Sequence, residues 1–468
     1  MNELILISGS SGVGKTTIAK LICMALPHDS TVLISGDDLH LWERNHEKWK
    51  QFTHLDPKAN DLDRGYKDIL QLKNNKTILR KCYRHDTGNF DENVKIEPKP
   101  IIVYEGLHAL YDERIKSLSR VKIFVDTDEE LKTKWKIERD IKKRGYSKQQ
   151  VLDAIARRKK DEQTHIDPQK FHADVIIKFK KENNNIVLNF ETKTNIHDQL
   201  IKQIKDVYNN HIKFLNICKQ IAADSELAQH KGGNVSIKFK DTLIITSSGV
   251  PFNDISIFNG YSVCDRNKIP LYFRTEEQYE TAIASCKLLE SQERPSMEIG
   301  FHNKLGHAVV HTHPIYLNCI LCSKESQELV KKLFSNYNQK YISYISPGFE
   351  LSNEIEPDCN VYFLANHGLI VSHDNIETAL KISKEINELS KAWLKQKICG
   401  FFEFNEININ NTYPSLFPDA AVLDSNKNIN SYIYETILDA GLTPNPLTNS
   451  EQEKLKNMKS EKYRKNLV

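Results

Sequence analysis

A marked excess of charge of one sign is missing from this chain, and so are long apolar runs and a regular cysteine framework. Its 65 basic and 62 acidic side chains nearly cancel, leaving a net charge of +3 over 468 residues. That balance gives no electrostatic reason to expect nucleic acid or an anionic membrane as partner. No run of about 18 apolar residues occurs, which excludes a conventional spanning helix. The N-terminus reads as a strand rather than a leader peptide. The nine cysteines lack disulfide-framework spacing. Cys319 and Cys322 do form a C-x-x-C, but inside the apolar run 317–322, where helix-core use outweighs redox or metal use. There is no internal repeat, and no low-complexity tract beyond an asparagine bias. The expectation is a soluble cytoplasmic chain of about two or three domains that acts on small molecules.

What is present begins at Gly9-Ser10-Ser11-Gly12-Val13-Gly14-Lys15-Thr16, which satisfies G-x-x-x-x-G-K-[ST]. An apolar strand at 4–7 precedes it, and Thr17 opens a helix behind it. Glycines there let backbone N–H groups turn onto phosphate oxygens. Lys15 adds a charge near the β/γ-phosphates, and Thr16 can ligate Mg²⁺. Residues Gly9 to Thr17 are therefore expected to bind a nucleoside triphosphate.

Further strands are expected at 31–35, 100–104, 121–126 and 186–190. Asp37 follows the first of these, on the ligand edge of an open α/β sheet. It can accept a proton from an attacking hydroxyl, or serve as a helix cap or loop aspartate. Glu105 follows the second and offers another acid near Mg²⁺. The basic stretch 132–144, with Arg139 and Arg144, could close over the polyphosphate or present a solvated face.

A polar linker is expected at 178–185. A helix at 195–210 follows, with Ile201, Ile204, Val207 and Tyr208 on one stripe. The expected division is 1–195, a connector at 196–210, and 211–468. Downstream, Val309-Val310-His311-Thr312-His313-Pro314 reads as a strand on which His311 and His313 share a face. Paired imidazoles on a rigid strand suit Zn²⁺, although H-x-H alone does not specify a metal. His367, behind the apolar run 361–365, can complete a facial set. Glu298, with His302 just beyond it, offers a base or a fourth ligand. The polar stretch 451–466 reads as a solvated helix, with a subunit contact as the alternative.

Several ordered stretches carry a family resemblance. They are Asp37-Asp38-Leu39-His40, Thr53-His54-Leu55-Asp56-Pro57-Lys58-Ala59-Asn60, Tyr83-Arg84-His85-Asp86-Thr87-Gly88 and Glu105-Gly106-Leu107-His108. Trp135-Lys136-Ile137-Glu138-Arg139-Asp140 and Ile166-Asp167-Pro168-Gln169-Lys170 continue the series. Residues 1 to about 180 thus resemble the phosphoribulokinase/uridine kinase family, most of all its plant-type phosphoribulokinases. The resemblance implies a P-loop α/β fold with a mostly parallel sheet, using ATP and Mg²⁺. It implies Asp37 as general base, Glu105 serving Mg²⁺, an acceptor pocket including His40, Tyr83 and His85, and a lid bearing Arg139 and Arg144. Leu41-Trp42-Glu43-Arg44 departs from the family where its sugar-phosphate contacts begin, so the acceptor can differ from ribulose 5-phosphate.

Gly232-Gly233-Asn234-Val235-Ser236, Thr246-Ser247-Ser248-Gly249-Val250-Pro251, the H-T-H-P strand and Asn366-His367-Gly368 resemble the class II aldolase/adducin family over about 212–400. That resemblance implies an α/β/α domain, Zn²⁺ on His311, His313 and His367, and Glu298 as acid/base. A phosphate or carboxylate site from Asn234, Ser248, Gly249 and Ser296 is implied as well, as is a homo-oligomer, tetrameric through this domain. The chemistry implied is Lewis-acid polarisation of a ketose carbonyl and hydroxyl. Met297 replaces an expected serine. The segment 323–345 is unlike the family, leaving Tyr341 and Tyr344 as candidate proton donors. Adducins lack the metal histidines, which are present here. The expected protein is a bifunctional carbohydrate enzyme, a sugar or sugar-phosphate kinase joined to a Zn²⁺ aldolase-type lyase. The alternatives for the second domain are a decarboxylase or epimerase of a phosphorylated sugar or sugar acid, or a non-catalytic metal-stabilised oligomerisation module.

Overall fold

Leu4, Ile5, Leu6 and Ile7 are apolar at every position because the strand they form is covered on both faces, as central parallel strands are. In the computed structural model, which describes residues 2–27, 30–84, 87–182, 185–193, 197–257, 259–288, 293–404 and 413–465, this run is β1 (Glu3–Ser8). The chain divides into two compact units, Met1–Tyr208 and Asn209–Val468. The first contains β2 (Thr31–Ser35), β3 (Ile78–Tyr83), β4 (Phe90–Ile96), β5 (Ile101–Glu105), β6 (Val121–Thr127), β7 (Val175–Glu182) and β8 (Asn185–Thr192). Its six-stranded sheet runs β2-β5-β1-β6-β7-β8, and β3 pairs with β4 as a separate hairpin. Every pair in the larger sheet is parallel except β7–β8. The register sets Ile7 and Ser35 beside Glu105. The P-loop, Asp37 and Glu105 therefore leave the carboxyl edge of three adjacent strands, where ligands bind in open α/β sheets.

Two segments differ from expectation. The stretch taken for a polar linker at 178–185 is mostly strand: Val175, Ile177 and Phe179 are buried while Lys178 and Lys180 alternate on the other face. The expected connector helix does not stop at 210 but runs from Asp198 to Ala222. Phe214, Leu215, Ile217, Cys218 and Ile221 continue its buried stripe and pull it past the division.

The second unit contains β9 (Asn234–Phe239), β10 (Thr242–Thr246), β11 (Tyr261–Asp265), β12 (Ala308–Thr312), β13 (Gln339–Ile342), β14 (Val361–Leu364) and β15 (Gly368–His373). They form one sheet in the order β11-β10-β9-β12-β15-β14-β13, antiparallel except for β13–β14. Strand alternation sorts β12 between two layers. Val309 joins a core with Phe301, Leu305, Tyr362 and Ile370. Thr312, on the opposite face, shares a 2.7 Å hydrogen bond with Ser383 of the helix Ile376–Lys397. Cys319 and Cys322 lie in a further apolar cluster with Leu416, Phe417 and Ile433, a helix-core role. No helix among the described residues is long and apolar enough to cross a membrane.

Candidate functional site

Each unit gathers its own set of polar groups. In the first, the turn after β1 is possible because Gly9, Gly12 and Gly14 have φ of 148°, 88° and 94°. Gly14 is doubly constrained, since a Cβ there would lie 2.7 Å from the Phe179 ring. The helix Lys15–Ala25 starts directly behind it. Lys15 Nζ donates to Ser10 O at 2.9 Å, and Lys136 Nζ donates to Ser11 Oγ at 3.2 Å. Thr16 Oγ1 donates to Glu105 Oε1 at 3.4 Å, which joins the two groups proposed for Mg²⁺. Burial lowers the affinity of Lys15 for its proton; Glu105 and Asp37 oppose this, and Arg139 reinforces it. Those three side chains thus lie within electrostatic reach of the P-loop lysine.

Asp37 sits in the single turn Gly36–Leu39, whose cap is Ser35: its Oγ accepts the Asp37 N–H at 3.3 Å. The cap role is therefore taken by the neighbour. Asp38 is tied instead to the hairpin, accepting the Tyr83 N–H at 2.6 Å and lying 3.9 Å from Arg80. His40 meets Tyr83, Trp49 and His54 edge-on at centroid distances of 5.2, 5.7 and 5.7 Å. Burial pushes His54 well below its ordinary value, helped by Arg158, His40 and Lys136 and opposed by Asp37. Burial also takes His108 down to about 4. An aromatic wall of uncharged imidazoles and indoles therefore lies within electrostatic reach of Asp37, and Trp42 extends it through contact with Trp49 at 5.1 Å. The helix Glu129–Arg144 is more than a solvated face, because Lys132, Lys136 and Asp140 are buried and Arg139 Nε donates to Asp140 at 2.9 Å. His85 and the Arg144 side chain lie outside the described residues.

In the second unit, β12 delivers His311 and His313, and the short β14–β15 turn, with Asn366 at φ 55°, delivers His367. One ring nitrogen of each lies within 4.8 Å of the others. His311 Nδ1 is 2.9 Å from Leu369 O, so it carries the proton and leaves Nε2 with a lone pair. That Nε2 lies 3.1 Å from His313 Nε2. Glu298 accepts from Asn234 Nδ2 at 2.7 Å through Oε2, while its buried Oε1 has no hydrogen-bond partner among the described residues. The two oxygens are 3.4 Å from His311 and 3.6 Å from His367. Lone-pair nitrogens converging on an unpaired carboxylate oxygen fit a divalent cation of zinc type. Burial raises Glu298 to about 7, against the Asn234 hydrogen bond. Burial and the neighbouring imidazoles push His311 well below its ordinary value, and burial takes His367 to about 3. Neutral imidazoles are the ligating form.

Asn234 is itself held in place. His302 Nε2 meets its Oδ1, and Ser236 Oγ meets His302 Nδ1 at 2.7 Å, so its amide is fixed toward Glu298. Ser296 Oγ accepts the Glu298 N–H at 3.2 Å. Ser248, Gly249, Ser296, Met297 and Lys231 line the same cavity as Glu298, His313 and His367. Tyr341 shares a 2.6 Å hydrogen bond with Ser326 and Tyr344 packs beside Leu423 and Leu447, and neither lines that cavity.

The reading of 451–466 as a solvated helix is corrected here. Leu455, Ser460, Glu461 and Arg464 are buried, and Glu461 and Arg464 line the cavity together with Asp419. Leu455 and Met458 pack with Val422 and Leu423, an apolar anchor hidden among lysines and glutamates. These site residues have no local sequence signal. His54 and Lys136, by contrast, fall within the family-like stretches of the first unit.

A nucleotide-loop α/β unit followed by a histidine-centred mixed-sheet unit defines a fusion of two enzyme-like domains. The chain belongs to the phosphoribulokinase/uridine kinase family through residues 4–185, and carries a class II aldolase and adducin N-terminal domain over residues 213–394. It is 40% identical over 174 residues to the phosphoribulokinase of Synechocystis sp., covering 37% of this chain and 52% of that one. It is 34% identical over 180 residues to the uridine kinase of Borrelia duttonii, covering 38% of this chain and 86% of the relative. The chain spans about half the length of the phosphoribulokinases it matches. The class II aldolase domain of a conserved Thermoplasma acidophilum protein is similar at 21% identity with a TM-score of 0.36, covering 39% of this chain and 92% of that domain.

Proposed function

We propose that the chain is a bifunctional carbohydrate enzyme. The first unit transfers a phosphoryl group from ATP to a hydroxyl of a sugar or sugar phosphate. The second cleaves or forms a carbon–carbon bond in a sugar or phosphosugar. The observation that carries the first half is the joining of Lys15, Thr16, Glu105 and Asp37 at one sheet edge. Asp37 takes the acceptor proton, Lys15 and Arg139 neutralise phosphate charge, and Thr16 with Glu105 would hold Mg²⁺. His40, Tyr83 and Trp49 shape the acceptor side, with His85 and Arg144 assigned there and to the lid by family resemblance.

For the second unit the carrying observation is the three-histidine set beside an unpaired Glu298 oxygen. Bound Zn²⁺ would supply Lewis-acid polarisation of substrate oxygens. Glu298, with its free Oε1 beside the histidine set, is placed to take and return a proton. Asn234 and Ser296 keep it aimed, while Ser248, Gly249 and Lys231 offer polar groups to an anionic substrate end. Decarboxylase or epimerase chemistry is the second reading, since a histidine-held cation beside a buried carboxylate serves those reactions as well. The test is product formation by mass spectrometry across ketoses, aldoses, sugar acids and their phosphates, with ATP, Mg²⁺ and Zn²⁺ present. A phosphorylated product that then splits supports both halves, and loss of carbon dioxide selects the second reading. No phosphorylated product from any acceptor would refute the kinase half.

A further inference from the structure

Asp419 and Arg464 lie beyond the segment matched by the aldolase family, yet both line the histidine cavity. Asp419 Oδ2 is 3.0 Å from His313 Nδ1, and both groups are buried. Arg464 ion-pairs with the other oxygen of Asp419, and its second arm lies 3.3 Å from Glu461. The helix that brings Arg464, Lys459–Lys465, is held from outside the cavity as well: the Arg294 guanidinium stacks 5.6 Å over the Tyr463 ring. Gly232 supplies an independent sign that this arrangement is built. A Cβ at that position would fall 2.7 Å from both Asp419 Oδ2 and His313 Nδ1, so only glycine leaves room for the pair.

We propose that Asp419, clamped by Arg464, is a positioning residue for the metal centre. Its carboxylate accepts the Nδ1–H of His313, which fixes the tautomer, turns Nε2 toward His311 and His367, and makes that nitrogen a stronger donor. Segment 413–465 is thereby a working wall of the site and not an appendage. Arg464 keeps the acceptor ionised and stationary, since a carboxylate buried without a counter-charge would recruit a proton instead. The inference rests on the three-histidine ligand set proposed above.

The experiment is Zn²⁺ affinity of the full chain by chelator competition, for wild type, Asp419→Ala, the near-isosteric Asp419→Asn, and His313→Ala. Loss of an outer partner of a ligating histidine typically weakens metal binding by about 10- to 100-fold. Asp419→Ala should show that loss, and Asp419→Asn should recover part of it, because the amide oxygen still accepts the Nδ1–H. Cobalt-substituted protein gives a second readout. Its visible absorption bands should shift in Asp419→Asn, which a purely structural role would leave in place. If His313→Ala loses metal while both Asp419 variants bind Zn²⁺ within twofold of wild type with unshifted cobalt bands, the positioning role is overturned. Should Asp419→Ala fail to fold, Asp419→Asn alone decides. If His313→Ala keeps its metal, the ligand set itself is wrong and this inference falls with it.

Discussion

Replacing Glu298 by glutamine should remove a pH dependence from the metal-free protein. The carboxyl is raised from 4.5 to about 7 because burial disfavours its charged form, and the Asn234 hydrogen bond recovers only part of that cost. A carboxyl whose folded value is raised stabilises the fold fully below its unfolded value, and that stability is lost as pH rises through the folded value. At ~1.4 kcal/mol per unit, the contribution falls by about 3 kcal/mol between pH 4.5 and 7 and then levels off. The buried histidines add an opposite trend, since their lowered values make the fold gain stability as pH rises through 6.5. That trend is shared by wild type and Glu298→Gln, so the difference between the two isolates the carboxyl. Urea denaturation of zinc-stripped protein, followed by hydrogen exchange in peptides from β9 and β12, reports on the second unit by itself. Wild type should lose stability relative to Glu298→Gln from pH 5 to 7. Adding Zn²⁺ should shrink the difference, because a cation favours the ionised carboxyl. Parallel curves in the metal-free proteins from pH 5 to 8 would show that Glu298 is not raised, and the reasoning from burial would be refuted.

Lys15→Ala should lower ATP-dependent phosphoryl transfer by about 10²-fold or more while leaving zinc content unchanged; full turnover in the variant would sink the kinase assignment. His313→Ala should lose zinc by elemental analysis and keep phosphoryl transfer, and the retention of a full equivalent would refute the ligand set. Gly232→Ala should weaken zinc binding by wedging a methyl between Asp419 and His313, and should lower the melting temperature by the equivalent of about 1–3 kcal/mol. Unchanged metal affinity and melting would show that the pair opens without cost.

What the sequence discloses follows from how local each feature is. The P-loop is a continuous backbone motif, so its glycines and Lys15 are legible from eight consecutive residues. That His311 and His313 share a face is legible from the two-residue strand period, whereas reading them with His367 as a metal set takes the family resemblance. The hairpin β3–β4 was not anticipated, because Arg80 is buried where an apolar residue would mark the inward face, and it is paired there with Asp68 at 3.5 Å. Asp419 and Arg464 were hidden for a related reason. Buried ions that neutralise one another leave a sequence that looks solvated, and only the fold shows which charges meet. His302, on the helix behind Glu298, meets it only through Asn234 at the start of β9, a link that no local pattern discloses.

The order in which the cavity's residues are made has a consequence of its own. On the ribosome, Gly232, Glu298 and all three histidines emerge well before Asp419, and Arg464 follows last of all. The nucleotide-loop unit can fold while the second half is still being synthesised, as domains made early in a chain generally do. The histidine cavity cannot. Until Arg464 has cleared the ribosome, that site lacks one wall and the clamp on His313. A nascent chain should therefore bind nucleotide before it holds metal firmly.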